Sequence, residues 1–410
     1  MSGVFVIGQS GGPTAVLNTS LAGFIGGARR AGASVFGLAH GLEGALNDSF
    51  LDLNGLDENT LERLAVTPGA ALGSSRRKLD EDEYTRVLAA FRRRGVTGFA
   101  YCGGNGSMWV AHRLSLMARD AGYDLRVIGI PKTVDNDLNG TDHAPGYGSA
   151  ARFLALAARD TGLDLEAMTT FDDAVILEAM GRDAGWLAAA SALLKKKADD
   201  APHLVYVPEI IFDDERFLQD VAAVHRRLNR VYIVVGEGVR YADGAFVGSS
   251  GDADMLGRTI HGLIASAGLY LARLVRERLG LQTRFFRPGN IGRALSACVS
   301  EVDRAEARQV GDYAAQALAR GEHDSMVALK RHEGGSETHP YGCEVGTIAL
   351  DAVAGQHRPL PRACINETGN MVTPAFVEYA LPLIGDVPPV MRLPSPFRDA
   401  ADRNLSDNRT

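Results

Sequence analysis

The segment Pro131-Lys-Thr-Val-Asp-Asn-Asp-Leu138 decides the fold, together with the apolar run Leu125-Arg-Val-Ile-Gly-Ile130 that precedes it. The run has the pattern of a buried strand, and Pro131 cannot continue a central strand, so we predict a turn at the strand's carboxyl end. Ligands bind at that end of open α/β sheets. The turn offers a base, a cation ligand, a hydroxyl and a phosphate-binding cation among Asp135, Asp137, Thr133 and Lys132. The alternative is an Asx-rich turn that only caps the next helix.

Two further strands are predicted to end in glycine turns. Val4–Gln9 leads into Ser10-Gly-Gly-Pro-Thr14, and Val96–Tyr101 leads into Cys102-Gly-Gly-Asn-Gly-Ser-Met108, with a helix predicted over 108–121. Backbone N–H groups in such turns, and a helix N-terminus behind them, favour anions. The turns match neither a P-loop nor a GxGxxG motif. Because parallel strands end at the same edge of a sheet, we expect the second glycine loop to lie beside the Asp135 turn.

Charged residues follow several other predicted turns. The run Arg76-Arg-Lys78 after a Gly/Ser turn is either a solvated face or an arm that reaches a polyphosphate. Three arginines within the segment Thr283–Arg293, separated by proline and glycine, indicate a phosphomonoester pocket. Glu237 lies between two glycines and suits a sugar hydroxyl, with an ordinary turn residue as the alternative.

Composition narrows the class of protein. The 410 residues predict two lobes, and the formal charge of −7 argues against a general nucleic-acid surface. The four cysteines lie far apart without a CxxC pair, so neither a disulfide framework nor a cysteine metal cage is expected, and a reducing cytosol fits. No apolar run reaches the roughly 18 residues of a membrane span, and the N-terminus lacks the basic start of a signal peptide, so we expect a cytoplasmic protein.

Taken together, these loops resemble the phosphofructokinase family over nearly the whole chain, and the length and C-terminal part resemble its longer bacterial pyrophosphate-dependent branch. The resemblance is carried by Ser10–Gly12, Gly73–Arg76, Gly103–Ser107, Pro131–Asp137, Met180–Gly185, Pro208-Glu209, Gly236-Glu237 and Arg284 to Arg293. It implies an α/β fold with two Rossmann-like lobes, mostly parallel sheets and an active site in the cleft between them. Residues 1–149 plus about 294–370 would form the donor lobe, and 150–293 plus about 371–410 the sugar-phosphate lobe.

The resemblance also implies roles for individual residues in a 6-phosphofructokinase. Asp135 would take the proton from the 1-hydroxyl of fructose 6-phosphate, while Thr133, Arg182 and Lys132 steady the transferred group. The donor, ATP or diphosphate, would contact Gly11, Gly12, Arg76, Arg77, Gly104, Asn105, Gly106 and Ser107. The sugar would contact Thr133, Asp135, Met180, Gly181, Arg182, Glu237, Arg284, Asn290 and Arg293. Asn105 and Asp137 would hold Mg²⁺, and a homodimer or homotetramer is expected.

Four positions depart from the family pattern. Asn105 replaces an Asp near the metal, and a neutral ligand holds Mg²⁺ less well. Gly106 stands where pyrophosphate users carry an Asp that would repel an ATP α-phosphate, whereas Lys132 is typical of pyrophosphate users; we favour ATP. Asn290 replaces a His or Tyr, and Asp173 replaces a cation that reaches a neighbouring subunit's phosphate.

These departures leave other functions open. One alternative is a pyrophosphate-dependent fructose-6-phosphate 1-phosphotransferase. Further alternatives are a kinase for another phosphosugar, a sugar-phosphate-binding regulator of low activity, and a GGxG-type kinase that acts on a dinucleotide or lipid.

Overall fold

The computed structural model describes residues 3–249, 266–332 and 341–392. These residues form two sheets with helices on both faces of each. The strands are β1 Val4–Gln9, β2 Ser34–Leu38, β3 Phe50–Asp52, β4 Gly98–Gly103, β5 Arg126–Pro131, β6 Ala174–Ala179, β7 Leu204–Tyr206, β8 Val231–Gly236, β9 Thr283–Phe286, β10 Ser325–Arg331 and β11 Cys343–Ala349.

Helices connect the strands. They are α1 Leu17–Arg30, α2 Leu42–Leu46, α3 Glu58–Ala65, α4 Glu81–Arg93, α5 Asn105–Asp120, α6 Tyr147–Ala167, α7 Trp186–Ala190, α8 Asp214–Leu228, α9 Ala267–Leu279, α10 Asn290–Ala294, α11 Glu301–Arg320 and α12 Pro374–Ala380. Short 3₁₀ turns cover Ser296–Cys298, Leu350–Ala352, Arg362–Cys364 and Leu381–Ile384. None of these helices is long and apolar enough to cross a membrane.

The strand order confirms the predicted α/β class with mostly parallel sheets. The larger sheet has the order β11-β10-β5-β4-β1-β2-β3, and only its two edge strands, β3 and β11, pair antiparallel. The smaller sheet has the order β7-β8-β6-β9 and is parallel throughout. Because β10 returns to the larger sheet after the smaller one is complete, the chain crosses between the lobes more than once.

The larger sheet is buried on both faces. Apolar residues of α1 and α11, such as Phe24 and Val310, cover one face, and residues of α4 and α5, such as Phe91 and Leu114, cover the other. Helices α1 and α11 approach very closely: a Cβ on Gly311 of α11 would lie 2.0 Å from the carbonyl oxygen of Ser20 in α1. A glycine is therefore required at this helix crossing.

The smaller sheet is enclosed in the same way. Helices α6 and α7 cover one face, and α8 and α9 cover the other. Hydrophobic residues from the C-terminal part of the chain, including Leu360, Phe376 and Ile384, pack into the same core as α6 and α7. The segment after β11 is thereby fixed against the second lobe, and it passes the end of the cleft on its way there.

Candidate active site

Three loops meet at the carboxyl edge of the larger sheet. β4 lies between β1 and β5, with Gln9 opposite Cys102 and Gly103 opposite Pro131. The amide of Lys132 donates to the carbonyl oxygen of Gly103 at 3.0 Å, which holds two of the loops together. The expectation that the second glycine loop lies beside the Asp135 turn is confirmed.

The central residue of the Asp-Asn-Asp turn explains how both carboxylates face the cleft. Asn136 has a φ of 54°, in the left-handed region that asparagine tolerates better than most residues. Its side chain accepts from the amide of Ala144 at 3.1 Å and donates to the Tyr379 hydroxyl at 2.9 Å. Because the side chain of Asn136 is bound to the protein on one side of the turn, the side chains of Asp135 and Asp137 face the cleft on the other side.

Neither carboxylate serves as a helix cap. The next helix, α6, begins after Gly146, and no side chain caps it. Thr133 Oγ1 accepts from the amide of Asp135 at 3.1 Å and lies 3.4 Å from Asp137 Oδ1, so the hydroxyl joins the two acids. Asp135 Oδ1 is buried and has no hydrogen-bond partner among the described residues. A buried, unpaired carboxylate oxygen in a cleft is what a substrate hydroxyl needs, and the helix-cap alternative fails here.

The electrostatics of the turn favour chemistry near neutral pH. Burial and the neighbouring carboxylates of Asp137 and Glu237 raise the pKa of Asp135 to about 7. Burial, together with the positive charges of Arg293 and Arg76, lowers the pKa of Lys132 to about 8. The Lys132 ammonium donates to the carbonyl oxygen of Gly12 at 2.9 Å, which holds it under the first glycine turn. A cation and an acid with altered pKa values thus share one cleft.

A cavity of about 650 Å³ opens beside this turn. Its lining includes both polar and apolar side chains. The lining residues expected at a phosphoryl-transfer site are Gly11, Gly12, Arg76, Arg77, Gly104, Asn105, Gly106, Ser107, Lys132, Thr133, Asp135 and Asp137. The structure therefore brings all of the predicted donor-side residues together.

The apolar wall of the cavity was not predicted. It consists of Leu79, Tyr84, Tyr101, Trp109 and Val110, and the Trp109 side chain is 48% exposed. Helix α5 begins at Asn105, three residues before the predicted start, so Trp109 and Val110 lie on its early turns and face the cavity. An apolar residue pair directly after the glycine loop is the only sequence signal that marks this wall.

The first glycine turn also admits a side chain from the opposite lobe. A Cβ on Gly12 would lie 2.2 Å from Nη1 of Arg293, so the guanidinium occupies space that only glycine leaves free. The carbonyl oxygen of Arg293 accepts from the amide of Ala15 at 3.2 Å. Burial and the nearby charge of Arg76 lower the pKa of Arg293, whereas Asp135 acts in the opposite direction. Arg293 is therefore the cation that the second lobe contributes to the cleft.

The Glu237 loop lies at the carboxyl edge of the smaller sheet. The amide of Glu237 donates to the carbonyl oxygen of Ala179, and its carboxylate accepts from the amide of Gly181 at 3.3 Å. Burial raises the pKa of Glu237 above its ordinary value. Met180 and Arg293 line a second, small cleft, which shares no lining residue with the larger cavity. The guanidinium of Arg182 lies over the Phe246 ring at 5.3 Å, and Arg182 does not line the larger cavity.

Of the predicted or questioned positions, Arg284, Asn290 and Asp173 line neither the larger cavity nor the small cleft. Arg284 sits in the middle of β9, and its Nε donates to Asp172 at 2.5 Å. Asn290 is the exposed first residue of α10. Asp173 accepts from the amide of Gln282 at 2.8 Å and contacts His225 at 3.2 Å, so its carboxylate is bound within its own lobe.

Oxygen atoms near Asp137 fit a hard divalent cation. Asn105 Nδ2 donates to Asp137 Oδ2 at 2.8 Å, while Asn105 Oδ1 is buried without a hydrogen-bond partner in the described part of the chain. Carboxylate and amide oxygens are ordinary ligands of Mg²⁺. His357, which no motif marks in the sequence, brings Nδ1 to 3.4 Å from Asp137 Oδ2. The donor set is therefore suited to a cation, with one nitrogen among the oxygens.

Known proteins are similar to this chain along most of its length. A profile of the phosphofructokinase family matches residues 4–318. A protein named pyrophosphate–fructose 6-phosphate 1-phosphotransferase from Rhodospirillum rubrum is 38% identical over 93% of this chain and 94% of its own. A sulfofructose kinase from Alkalicoccus urumqiensis is 37% identical over 94% and 96%. A crystal structure of pyrophosphate-dependent phosphofructokinase from Marinobacter aquaeolei has a TM-score of 0.83, with 32% identity over 95% and 94%. The chain belongs to the phosphofructokinase family.

Proposed function

We propose that this protein transfers the terminal phosphoryl group of ATP to the 1-hydroxyl of fructose 6-phosphate and so acts as a 6-phosphofructokinase. The buried Oδ1 of Asp135 carries the proposal, because it has no hydrogen-bond partner among the described residues and offers an acceptor for a hydroxyl proton in a cleft lined by cations. Phosphoryl transfer depends mainly on positioning and charge stabilisation, and both are supplied around this atom.

The chain's own residues would divide the reaction as follows. Asp135 takes the proton of the 1-hydroxyl, whose oxygen forms a bond to the terminal phosphorus while the bond from phosphorus to the leaving phosphate breaks. Lys132, Thr133 and Arg182 neutralise and orient the transferred group, with Arg182 moving from its place on Phe246. We assign the donor to the seven-stranded lobe and the sugar to the four-stranded lobe.

A divalent cation would be held by Asp137 and by the amide oxygen of Asn105. When bound, such a cation neutralises charge on the phosphate oxygens of the donor. Asn105 carries no charge, so the negative charge offered to the cation is that of Asp137. We propose that Mg²⁺ can fill this site and support the reaction.

The shape of the cavity supports a nucleotide as donor. A Cβ placed on Gly106 would meet no atom within 4 Å, so the donor loop leaves open space there. The cavity has an apolar wall that includes Trp109 and Tyr84, and such a wall suits a nucleobase, for which diphosphate has no equivalent. Diphosphate remains the alternative donor, supported by Lys132 and by the name of the Rhodospirillum relative.

Sulfofructose is a second candidate acceptor. One relative is named for it. Arg284, which was predicted to bind the sugar phosphate, is held by Asp172. Asn290 does not line the larger cavity. Because a sulfonate carries less negative charge than a phosphate, it needs fewer cationic partners. Arg293 would meet either anion.

A four-way assay tests the proposal. Purified protein with Mg²⁺ receives fructose 6-phosphate or sulfofructose, each with ATP or with diphosphate, and the phosphorylated sugar is followed by ³¹P NMR. We expect the largest kcat/KM for fructose 6-phosphate with ATP. Turnover with diphosphate only would overturn the donor proposal, and turnover of sulfofructose only would replace the acceptor.

We also propose a homo-oligomer, because β9 is an edge strand of the four-stranded sheet and the side chains of Phe171 and Ile291 are more than 60% exposed.

A further inference from the structure

His357 lies against the proposed cation ligands although nothing in its own sequence surroundings indicates a site. Its Nδ1 is 3.4 Å from Asp137 Oδ2 and 3.3 Å from Asn105 Nδ2. The residue also lies outside the segment 4–318 that matches the family. Its position is therefore a property of the C-terminal part of this chain.

The position of His357 is fixed by its neighbours. The amide of Arg358 donates to the carbonyl oxygen of Asp137 at 2.9 Å, which ties the two segments together directly beside the ring. The Arg358 guanidinium lies over the Trp186 ring at 4.4 Å and donates to the carbonyl oxygen of Thr141 at 2.9 Å. On the N-terminal side of His357, the carbonyl oxygen of Ala352 accepts from the side-chain amide of Asn139 at 3.0 Å. Because the backbone is held on both sides, His357 is presented to Asp137 rather than to bulk solvent alone.

Three ligand atoms can converge here. Asp137 Oδ2 and His357 Nδ1 both face Asn105 Nδ2, and the other amide atom, Asn105 Oδ1, is buried without a partner in the described part of the chain. A half-turn about χ2 of Asn105 exchanges its two amide atoms and places an oxygen between the carboxylate and the ring. Asp137 Oδ2 and His357 Nδ1 are 3.4 Å apart, so a small inward movement of either side chain would let one ion contact both atoms.

We propose that His357 Nδ1 is a ligand of the divalent cation, with Asp137 and Asn105, and that this mixed nitrogen and oxygen site takes Mn²⁺ or Co²⁺ in preference to Mg²⁺. Imidazole favours the later first-row metals, and affinity for a given site rises from Mn²⁺ to Co²⁺. A carboxamide in place of a carboxylate removes the charge on which Mg²⁺ chiefly depends. The inference refines the cation of the proposed function and rests on it only for the location of the site.

Metal binding without substrates tests the proposal. Mn²⁺ is titrated into the donor-free protein, free Mn²⁺ is measured by electron paramagnetic resonance, and Mg²⁺ is then added as competitor. Electron spin echo modulation reports whether a ¹⁴N nucleus of histidine is bound to Mn²⁺. We expect ¹⁴N modulation in the parent protein, and loss of this signal with about tenfold or more weaker Mn²⁺ binding in His357→Ala.

Two further variants sharpen the test. His323→Ala is the matched control, because His323 is exposed and lies elsewhere on the surface; it should leave both readouts unchanged. Asn105→Asp should raise Mg²⁺ affinity more than Mn²⁺ affinity. Absence of ¹⁴N modulation in the parent protein, or equal Mn²⁺ binding by the parent and His357→Ala, would overturn the inference. Since neither sugar nor donor is present, these outcomes are independent of whether the protein phosphorylates fructose 6-phosphate.

Discussion

Gly106→Asp should convert a donor site that accepts ATP into one that rejects it. The added side chain starts in open space, since among the described residues no atom outside its own helical turn lies within 4 Å of the position of its Cβ. Asp in the first turn of α5 is also favourable for the helix dipole. The fold should therefore tolerate the change, and the melting temperature should not fall.

The cost for ATP comes from charge repulsion inside the cavity. A carboxylate about 5 Å from a phosphate charge, at an effective dielectric constant of about 20, costs about 3 kcal/mol. That energy corresponds to a loss on the order of 10²-fold in kcat/KM for ATP. Diphosphate ends before the position of an α-phosphate, so its kcat/KM should change by less than a few-fold.

Steady-state kinetics with each donor measures the effect, and Gly106→Asn separates charge from bulk. Asn has nearly the size of Asp without its charge, so it should keep most of the ATP activity. Equal losses with Asn and Asp would show that bulk matters and not charge. Unchanged ATP use by Gly106→Asp would refute the open-pocket explanation altogether.

Two other predictions follow from the second lobe and the buried ionic network. Arg293→Met should raise the KM for the sugar by about 10- to 100-fold, the range for a lost charged hydrogen bond. Arg284→Met should have a smaller effect, because Arg293 reaches the cleft whereas Arg284 is held by Asp172. Steady-state kinetics with both variants measures the difference, and a larger effect of Arg284→Met would contradict the prediction. His143 lies between Asp142 at 2.8 Å and Glu306 at 2.6 Å, beside Arg331, Tyr341 and Cys343; burial alone would lower its pKa, but Glu306 and Asp142 raise it from 6.5 to about 9. Because the pKa of His143 is raised in the folded state, its contribution to the free energy of unfolding is fully present below pH 6.5 and is lost as pH rises through 9; it is at most about 3 kcal/mol. The free energy of unfolding of His143→Gln, measured against pH, should lack this fall. A fall as steep as in the parent protein would contradict the assignment.

The active-site turn could be predicted because its signals are local. An apolar run, a proline and an Asx cluster lie within a few residues of one another, and the left-handed position is filled by Asn136, which suits it. The neighbouring loops followed from strand order, since Gly103 and Pro131 are paired across β4 and β5. The adjacency of these loops followed from the parallel arrangement of successive strands, whereas the roles of individual residues came from the resemblance to the family.

The position of Arg284 depends on strand register, which the sequence does not express. β9 pairs with β6 so that Arg284 lies opposite Val175, well before the carboxyl end of β6 at Ala179. Arg293 reaches the cleft only because Gly12, far away in sequence, leaves room for it. Contacts between residues that are far apart in sequence, such as Arg293 and Gly12, follow from tertiary packing and not from composition or periodicity.

His357 and the apolar wall were missed for the same reason. His357 is placed by the contacts of Arg358 with Asp137 and Trp186, none of which forms a motif. Trp109 faces the cavity because α5 begins at Asn105, and a shift of a few residues in a helix start turns different side chains toward the cleft. Helix ends are set by tertiary contacts as much as by local sequence.

The most direct test of the central claim is the turnover of Asp135→Asn. The amide keeps the size and the hydrogen-bonding position of the side chain but cannot accept the proton of the 1-hydroxyl. We predict that kcat falls by about 10²- to 10⁴-fold, the range for general base catalysis, while the KM for fructose 6-phosphate changes only a few-fold. Asp120→Asn, at the exposed end of α5, should match the parent protein. A kcat within a few-fold of the parent in Asp135→Asn would contradict the account.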